Sequence, residues 1–288
     1  MIGRVDIDPR GGFCAGVIRA VGKAESYLSE HKGETLYSLG AIVHNGQELG
    51  RLSELGLKAI SREQLPSLAS GSTVIIRAHG EAPEVYDDLE GRSLSIIDCT
   101  CPVVLGIQKK IASAQGDVII FGKHGHPEVI GLLGNAKGRV WVLENLVQAQ
   151  ELVDENMDFL PEIDIYSQTT MSARVYEQVC EFLIRHIPSL KVHNTICRQV
   201  SQRCEQIEDF ARSHDVVVFV SGVSSSNGRV LAGLAKDANP CTYVVENASS
   251  IDPQWFNEGD IVGVSGATST PSWLLEEVAD SIKKLVFL

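Results

Sequence analysis

The chain has 288 residues, 44% of them apolar and 22% charged, with a net charge of −12. That length suffices for more than one domain. The acidic balance with scattered Lys and Arg argues against a nucleic-acid surface, and apolar runs as short as Val216–Val220 argue against a membrane span.

Seven cysteines, an odd number, follow an N-terminal stretch with no apolar signal region. A cytoplasmic setting is therefore expected, in which functional cysteines bind metal or catalyse more often than they form disulfides. Arg4–Asp8 alternates like a short strand and runs into Gly11-Gly12-Phe13-Cys14-Ala15-Gly16, and Val17–Glu25 then reads as a helix start. Cys14 thus lies at a strand-to-helix turn whose glycines let the backbone pass tightly. A thiol there feels the positive end of the helix dipole, which favours the thiolate. Next come strand Thr35–Leu39, the turn holding His44, and a helical Gln47–Leu52. Strand Thr73–Ile76 leads to Arg77-Ala78-His79-Gly80 and a helix over Pro83–Leu89.

The same order then returns. Ser93–Ile97 is a strand, Cys99-Thr100-Cys101-Pro102 a turn and Val103–Ala114 a helix. Asp117–Phe121 leads to Gly125-His126-Pro127-Glu128, and Ile163–Tyr166 to Ser167-Gln168-Thr169-Thr170 and a helix to about Arg185. In the third round Lys191–Ile196 leads to Cys197, Val216–Val220 to Ser224-Ser225-Ser226-Asn227, and Ile261–Val264 to Ser269-Thr270-Pro271, each with a helix after it.

Cys14 and Cys101 are 87 residues apart, and Cys101 and Cys197 are 96 apart. The second polar loop follows its cysteine by 30 (His44), 25 (His126) and 28 (Ser225) residues, and the third by 65 (His79), 68 (Thr169) and 72 (Ser269). Nine strand–turn–helix junctions fall into three sets of three. The expected units are 1–98, 99–195 and 196–288, three pseudo-symmetric α/β units with mainly parallel sheets. In such sheets the residues past the strand C-termini share a crevice, so the units are expected to ring one centre.

Three converging cysteines suit a soft metal: zinc with three thiolates, or a cubane iron–sulfur cluster with one iron left open. Unrelated buried thiols are the plainer alternative. Ser224–Asn227, Ser269, Thr270, His44 and His79 sit where helix N-terminal amides point outward, a cradle for a phosphate. Singly, each serine reads as an ordinary N-cap. The many donors, with no arginine shared by all loops, favour a diphosphate over a carboxylate. Glu128, with His126 two residues before it, is the acid/base candidate, since a desolvated carboxyl can hold a proton at neutral pH. Thr169 and Thr170 offer a hydroxyl in the matching loop.

Together GFCAG, VHN, AHG, TCP, GHPE, QTT, TIC, SSN and GATSTP resemble the 4-hydroxy-3-methylbut-2-enyl diphosphate reductase family, which acts last in the methylerythritol phosphate route to isoprenoids. The resemblance runs through nearly the whole chain. It implies three α/β domains around a central 4Fe–4S cluster held by Cys14, Cys101 and Cys197. It also implies diphosphate binding by His44, His79, Ser225, Ser226, Asn227 and Ser269. His126 and Glu128 match the family's histidine and proton-delivering glutamate, and Thr169 and Thr170 the threonines beside the substrate hydroxyl. The implied reaction removes that hydroxyl with two electrons entering through the cluster, giving isopentenyl or dimethylallyl diphosphate. A ferredoxin or flavodoxin is the expected electron donor, because the chain shows no dinucleotide fingerprint.

Cys99 departs from the family, which usually has alanine there, and packing is the favoured role for it. Cys204 follows Cys197 by seven residues on a helix, and Cys180 and Cys241 read as core. His124 is left out of the substrate contacts. A hydro-lyase with a three-cysteine cluster, an iron–sulfur sensor and a zinc hydrolase are the competing readings.

Overall fold

Short β-branched runs alternate with amphipathic helices, so successive strands meet through helical crossovers and pair in parallel. A computed structural model describes residues 2–155 and 162–285. The elements begin with β1 (Arg4–Ile7), α1 (Ala15–Glu30), β2 (Leu36–Leu39), α2 (Gly46–Glu54), β3 (Leu57–Ile60), β4 (Thr73–Ile76), α3 (Pro83–Gly91) and β5 (Ser95–Asp98). They continue with α4 (Pro102–Ser113), β6 (Asp117–Phe121), α5 (Pro127–Leu133), β7 (Val140–Leu143), α6 (Leu146–Glu155), β8 (Ile163–Ser167), α7 (Ala173–His186) and β9 (Leu190–His193). Last come α8 (Arg198–Arg212), β10 (Val216–Val220), α9 (Ser226–Ala238), β11 (Thr242–Val245), β12 (Ile261–Gly266) and α10 (Ser272–Lys283). None of the described helices is long and apolar enough to cross a membrane.

The strands form three four-stranded sheets, β3-β2-β4-β5, β7-β6-β8-β9 and β11-β10-β12-β1. The order repeats each time. The inner strands lead to the polar loops, and the last strand of each sheet runs toward a cysteine: β5 to Cys101, β9 to Cys197, β1 to Cys14. Each cysteine strand therefore lies in the sheet of the preceding third of the sequence. For Cys14 that is the last third: Arg4–Ile7 pairs in parallel with Ile261–Val264. The first sheet lies within residues 1–98 and the second within 99–195, and the third takes β1 from outside 196–288.

Contacts gather the chain into two compact units. One holds the residues up to Thr35, Ala41–Ala59 and those from Gln202 on, and the other holds Leu36–Gly40 and Ile60–Ser201. In the first, β10 is buried throughout, as a parallel strand covered on both faces must be. Val216, Val218 and Val220 face Leu274, Val278 and Ile282 of α10, while Val217 and Phe219 face Ile207 of α8 and Leu231 of α9. In the second, Ile119, Phe121 and Ile165 pack against Leu152 of α6 and Val179 and Leu183 of α7. Val118 and Ile120 pack against Ile107 and Ile111 of α4 and Val129 of α5. Leu39, Val74 and Ile76 pack against Val85 and Leu89 of α3.

β3, β7 and β11 went unread in the sequence. Each is a four-residue strand at a sheet edge. Lys58 interrupts the apolar run of β3, while β7 and β11 are short apolar runs whose residues are partly exposed, so four residues of sequence leave them ambiguous.

Candidate active site

In the first unit one run of hydrogen bonds links Cys14, His44, Ser225, Asn227 and Ser269. Cys14 is the N-cap residue of α1, and its N–H donates to Thr268 O at 3.2 Å. Thr268 N and Oγ1 donate to Asn227 Oδ1 at 3.2 and 2.9 Å. Ser269 Oγ donates to Ser225 Oγ at 3.2 Å and to His44 O at 3.4 Å. Ser225 also caps α9, accepting from Gly228 N at 3.0 Å, and Ser226 is the first residue of that helix. The capping role and the place in the cluster are therefore both real. Asn45 caps α2 in the same way, accepting from Glu48 N at 3.1 Å.

Two glycines allow these loops to meet. A Cβ on Gly222 would stand 2.5 Å from His44 O, so no other residue fits there. Gly12 has φ +95°, and a Cβ on it would come within 3.0 Å of Thr270 O. The tight passage expected beside Cys14 is thus made against the Ser269 loop.

The second unit contains the acid/base candidates. His126 is the N-cap residue of α5, and its Nδ1 accepts from Glu128 N at 3.2 Å. In the neutral ring that leaves the hydrogen on Nε2. Glu128 is only 2% exposed. Its Oε1 accepts from Thr169 N and its Oε2 from Thr169 Oγ1, each at 2.7 Å. Burial pushes the carboxyl up from 4.5 to about 7, against the two Thr169 bonds, which favour the anion. Near neutral pH about half the carboxyls hold a proton. His79 meets His126 edge to face, with ring centroids 5.4 Å apart. Cys101 N donates to Ala78 O at 3.0 Å, beside His79, and Cys197 N to Thr169 O at 2.9 Å.

Thr169, not Thr170, meets Glu128. The Thr170 hydroxyl accepts from Gln168 Nε2 at 2.6 Å, and Gln168 Oε1 accepts from Lys123 N at 3.0 Å. Gln168 thereby ties the two polar loops of this sheet together. Thr195 Oγ1 accepts from Ser167 N and donates to Ser167 O, both at 2.7 Å, pinning the segment before Cys197 to the end of β8. Gln168, Thr195 and Asn45 brace these loops without standing out in the sequence. Gln168 and Asn45 carried a faint signal in the QTT and VHN triplets, and Thr195 carried none.

None of the seven cysteines is in a disulfide. Cys14, Cys101 and Cys197 are half-buried and each immediately precedes a helix. Cys14 and Cys101 make no side-chain capping bond. Thiols at positive helix ends suit the thiolate ligands of an iron–sulfur cluster. The other thiols differ. Cys99 is buried, in keeping with a packing role, and burial pushes Cys180 up to about 11. Cys204 is half-buried against the α8–α9 core, and burial raises it too. Cys241, expected in the core, is exposed. It leaves the Asn239-Pro240 turn with its N–H on Asn239 Oδ1 at 2.9 Å, just before the edge strand β11.

The LytB protein family matches over residues 5–283. The 4-hydroxy-3-methylbut-2-enyl diphosphate reductase of Bacteroides fragilis is 42% identical over 290 residues, 97% of each chain. That of Chloroherpeton thalassium is 37% identical over 306 residues, 97% of this chain and 96% of its own. Among solved structures, (E)-4-hydroxy-3-methyl-but-2-enyl diphosphate reductase, the terminal enzyme of the non-mevalonate pathway, aligns with a TM-score of 0.76. It is 35% identical, over 99% of this chain and 100% of the other. The E-1-hydroxy-2-methyl-but-2-enyl-4-diphosphate reductase of Plasmodium falciparum, 23% identical, shares the fold with a TM-score of 0.83 over 97% of this chain and 88% of its own.

Proposed function

The chain belongs to the LytB family, whose matching relatives are 4-hydroxy-3-methylbut-2-enyl diphosphate reductases, and on that premise we propose that it removes the hydroxyl of this allylic diphosphate in the non-mevalonate route. The substrate C–O bond breaks, a C–H bond forms, and the oxygen leaves as water. Two electrons and two protons are consumed, and the products are isopentenyl and dimethylallyl diphosphate.

The strongest support is Glu128. It is a buried carboxyl whose pKa burial pushes up to about 7, fixed at both oxygens by Thr169. We assign Cys14, Cys101 and Cys197 as the thiolates of a 4Fe–4S cluster, on their donor chemistry and helix-end positions. Such a cluster, when bound, supplies electrons one at a time and a Lewis-acidic iron. Binding and proton handling fall to the side chains. His44, His79, Ser225, Ser226, Asn227 and Ser269 hold the diphosphate through imidazole, hydroxyl and amide donors at helix ends. Glu128 gives its proton to the departing oxygen, and Thr169 Oγ1 keeps the carboxyl aimed. His126, donating from Nε2, and Thr170 flank the substrate. A ferredoxin or flavodoxin delivers the electrons.

Anaerobic turnover of the hydroxylated allylic diphosphate with reduced viologen tests this reading. Donor-dependent formation of both products by a coloured, iron-containing protein is expected. Conversion without a donor would point to a hydro-lyase, and a colourless protein with stoichiometric zinc would sink the iron–sulfur assignment.

A further inference from the structure

In the first unit a polar run around one buried carboxylate joins the helices that follow three of the loops described above. Glu48 is the third residue of α2, four residues after His44, and Trp273 is the second residue of α10, four residues after Ser269. Trp273 Nε1 donates to Glu48 Oε2 at 2.8 Å. Arg51 Nε donates to the same oxygen at 2.9 Å, and Arg51 Nη2 to Glu48 Oε1 at 2.6 Å. Arg51 Nη2 also reaches Glu25 Oε1 on α1, the helix that Cys14 opens, at 2.6 Å. Glu48 is fully buried.

A buried carboxylate is costly unless its lone pairs are filled, and an apolar pair would join α2 to α10 without that cost. What the polar contact adds is a fixed direction and distance. The Ser269 Oγ to His44 O bond is 3.4 Å long, near the limit for a hydrogen bond. The shorter bond between Glu48 and Trp273, four residues past His44 and Ser269, is the tighter link.

We propose that the Glu48–Trp273 hydrogen bond is a positioning contact that sets the spacing of the His44 and Ser269 loops, and through it the affinity for a diphosphate group. Arg51 anchors the pair to α1. The proposal rests on the reading of those loops as the diphosphate site. Glu48 and Trp273 act through His44 and Ser269 and touch neither substrate nor metal.

The test is calorimetric titration of the anaerobically reconstituted full chain with inorganic diphosphate. Trp273→Phe removes the indole N–H alone, and its Kd is expected to rise about tenfold, as for losing a hydrogen bond to a charged group. Glu48→Leu should lose as much. Glu48→Gln, whose amide oxygen still accepts from Trp273, should stay within about threefold of the unaltered protein. Trp255→Phe is the control: Trp255 stacks on Tyr243 at 4.3 Å, and Kd should not move. In turnover, Trp273→Phe should raise KM and leave kcat unchanged, a split that a general loss of stability does not produce. Thermal melting follows the folding of each variant. If Glu48→Leu does not fold, Trp273→Phe and Glu48→Gln carry the comparison. Tight diphosphate binding by Trp273→Phe overturns the brace and leaves the diphosphate site standing. No binding by the unaltered protein overturns both.

Discussion

At Glu128 two effects oppose each other and burial wins. The Thr169 N–H and hydroxyl both favour the anion, yet the carboxyl is pushed up from 4.5 to about 7. Glu128→Gln should keep its iron and its diphosphate affinity but lose turnover by about 10²–10⁴-fold. Near-normal turnover would remove the proton role. Thr169→Val deletes the hydroxyl bond, which lowers the value, so the alkaline limb of the kcat–pH profile should move up. Stability follows the same sign. A folded-state value above the ordinary one means stability is lost as pH rises from about 4.5 through about 7. Urea unfolding at pH 5 and pH 8 should therefore show the Gln variant gaining on the parent at the higher pH. Glu128 was legible in the sequence because GHPE follows a strand end. The choice between Thr169 and Thr170 was not, since adjacent threonines differ only in which way the turn aims them.

At the scale of elements, the Cys14 loop is fastened by a buried ion pair. Asp8, just past β1, accepts from Arg203 Nη1 of α8 at 3.0 Å, from Ser265 Oγ of β12 at 2.8 Å and from Arg10 N at 2.9 Å. Arg203 Nη2 also donates to Ser265 Oγ at 3.2 Å. Arg203→Met strands a buried carboxylate and should cost about 3–5 kcal/mol in denaturant unfolding, with lower iron content after reconstitution. Adding Asp8→Asn should recover part of the stability, because the stranded charge is gone. Inner strands such as β4, β6 and β10 were read to the residue, since burial on both faces writes itself as an apolar run. The edge strands escaped because each is only four residues long and partly exposed. Asp8 and Arg203 escaped because their partners lie far along the chain.

For the molecule as a whole, the repeat was the most legible feature. Cysteine spacing and loop order predicted three equivalent sheets, and all three have one strand order. We read 1–98, 99–195 and 196–288 as three copies of a single βα plan. The sheet membership of β1 was not legible, because short strands of similar composition do not announce their partners. Three-fold equivalence gives a prediction. Serine at Cys14, at Cys101 or at Cys197 should each abolish the visible iron–sulfur absorption to a similar degree. Alanine at Cys99, Cys180, Cys204 or Cys241 should leave it in place.

The pairing of β1 with β12 also has a consequence in time. A ribosome makes Cys14 early, but among the described strands β1 pairs with β12 alone. The bond from Ser265 to Asp8 spans 257 positions. At about 5–20 residues per second, that delay is on the order of tens of seconds. The sheets that lead to Cys101 and Cys197 can close sooner, so Cys14 is the last of the three to be positioned. Metal loading is then expected to follow the completion of synthesis, and a stalled chain should carry two placed thiols and one adrift.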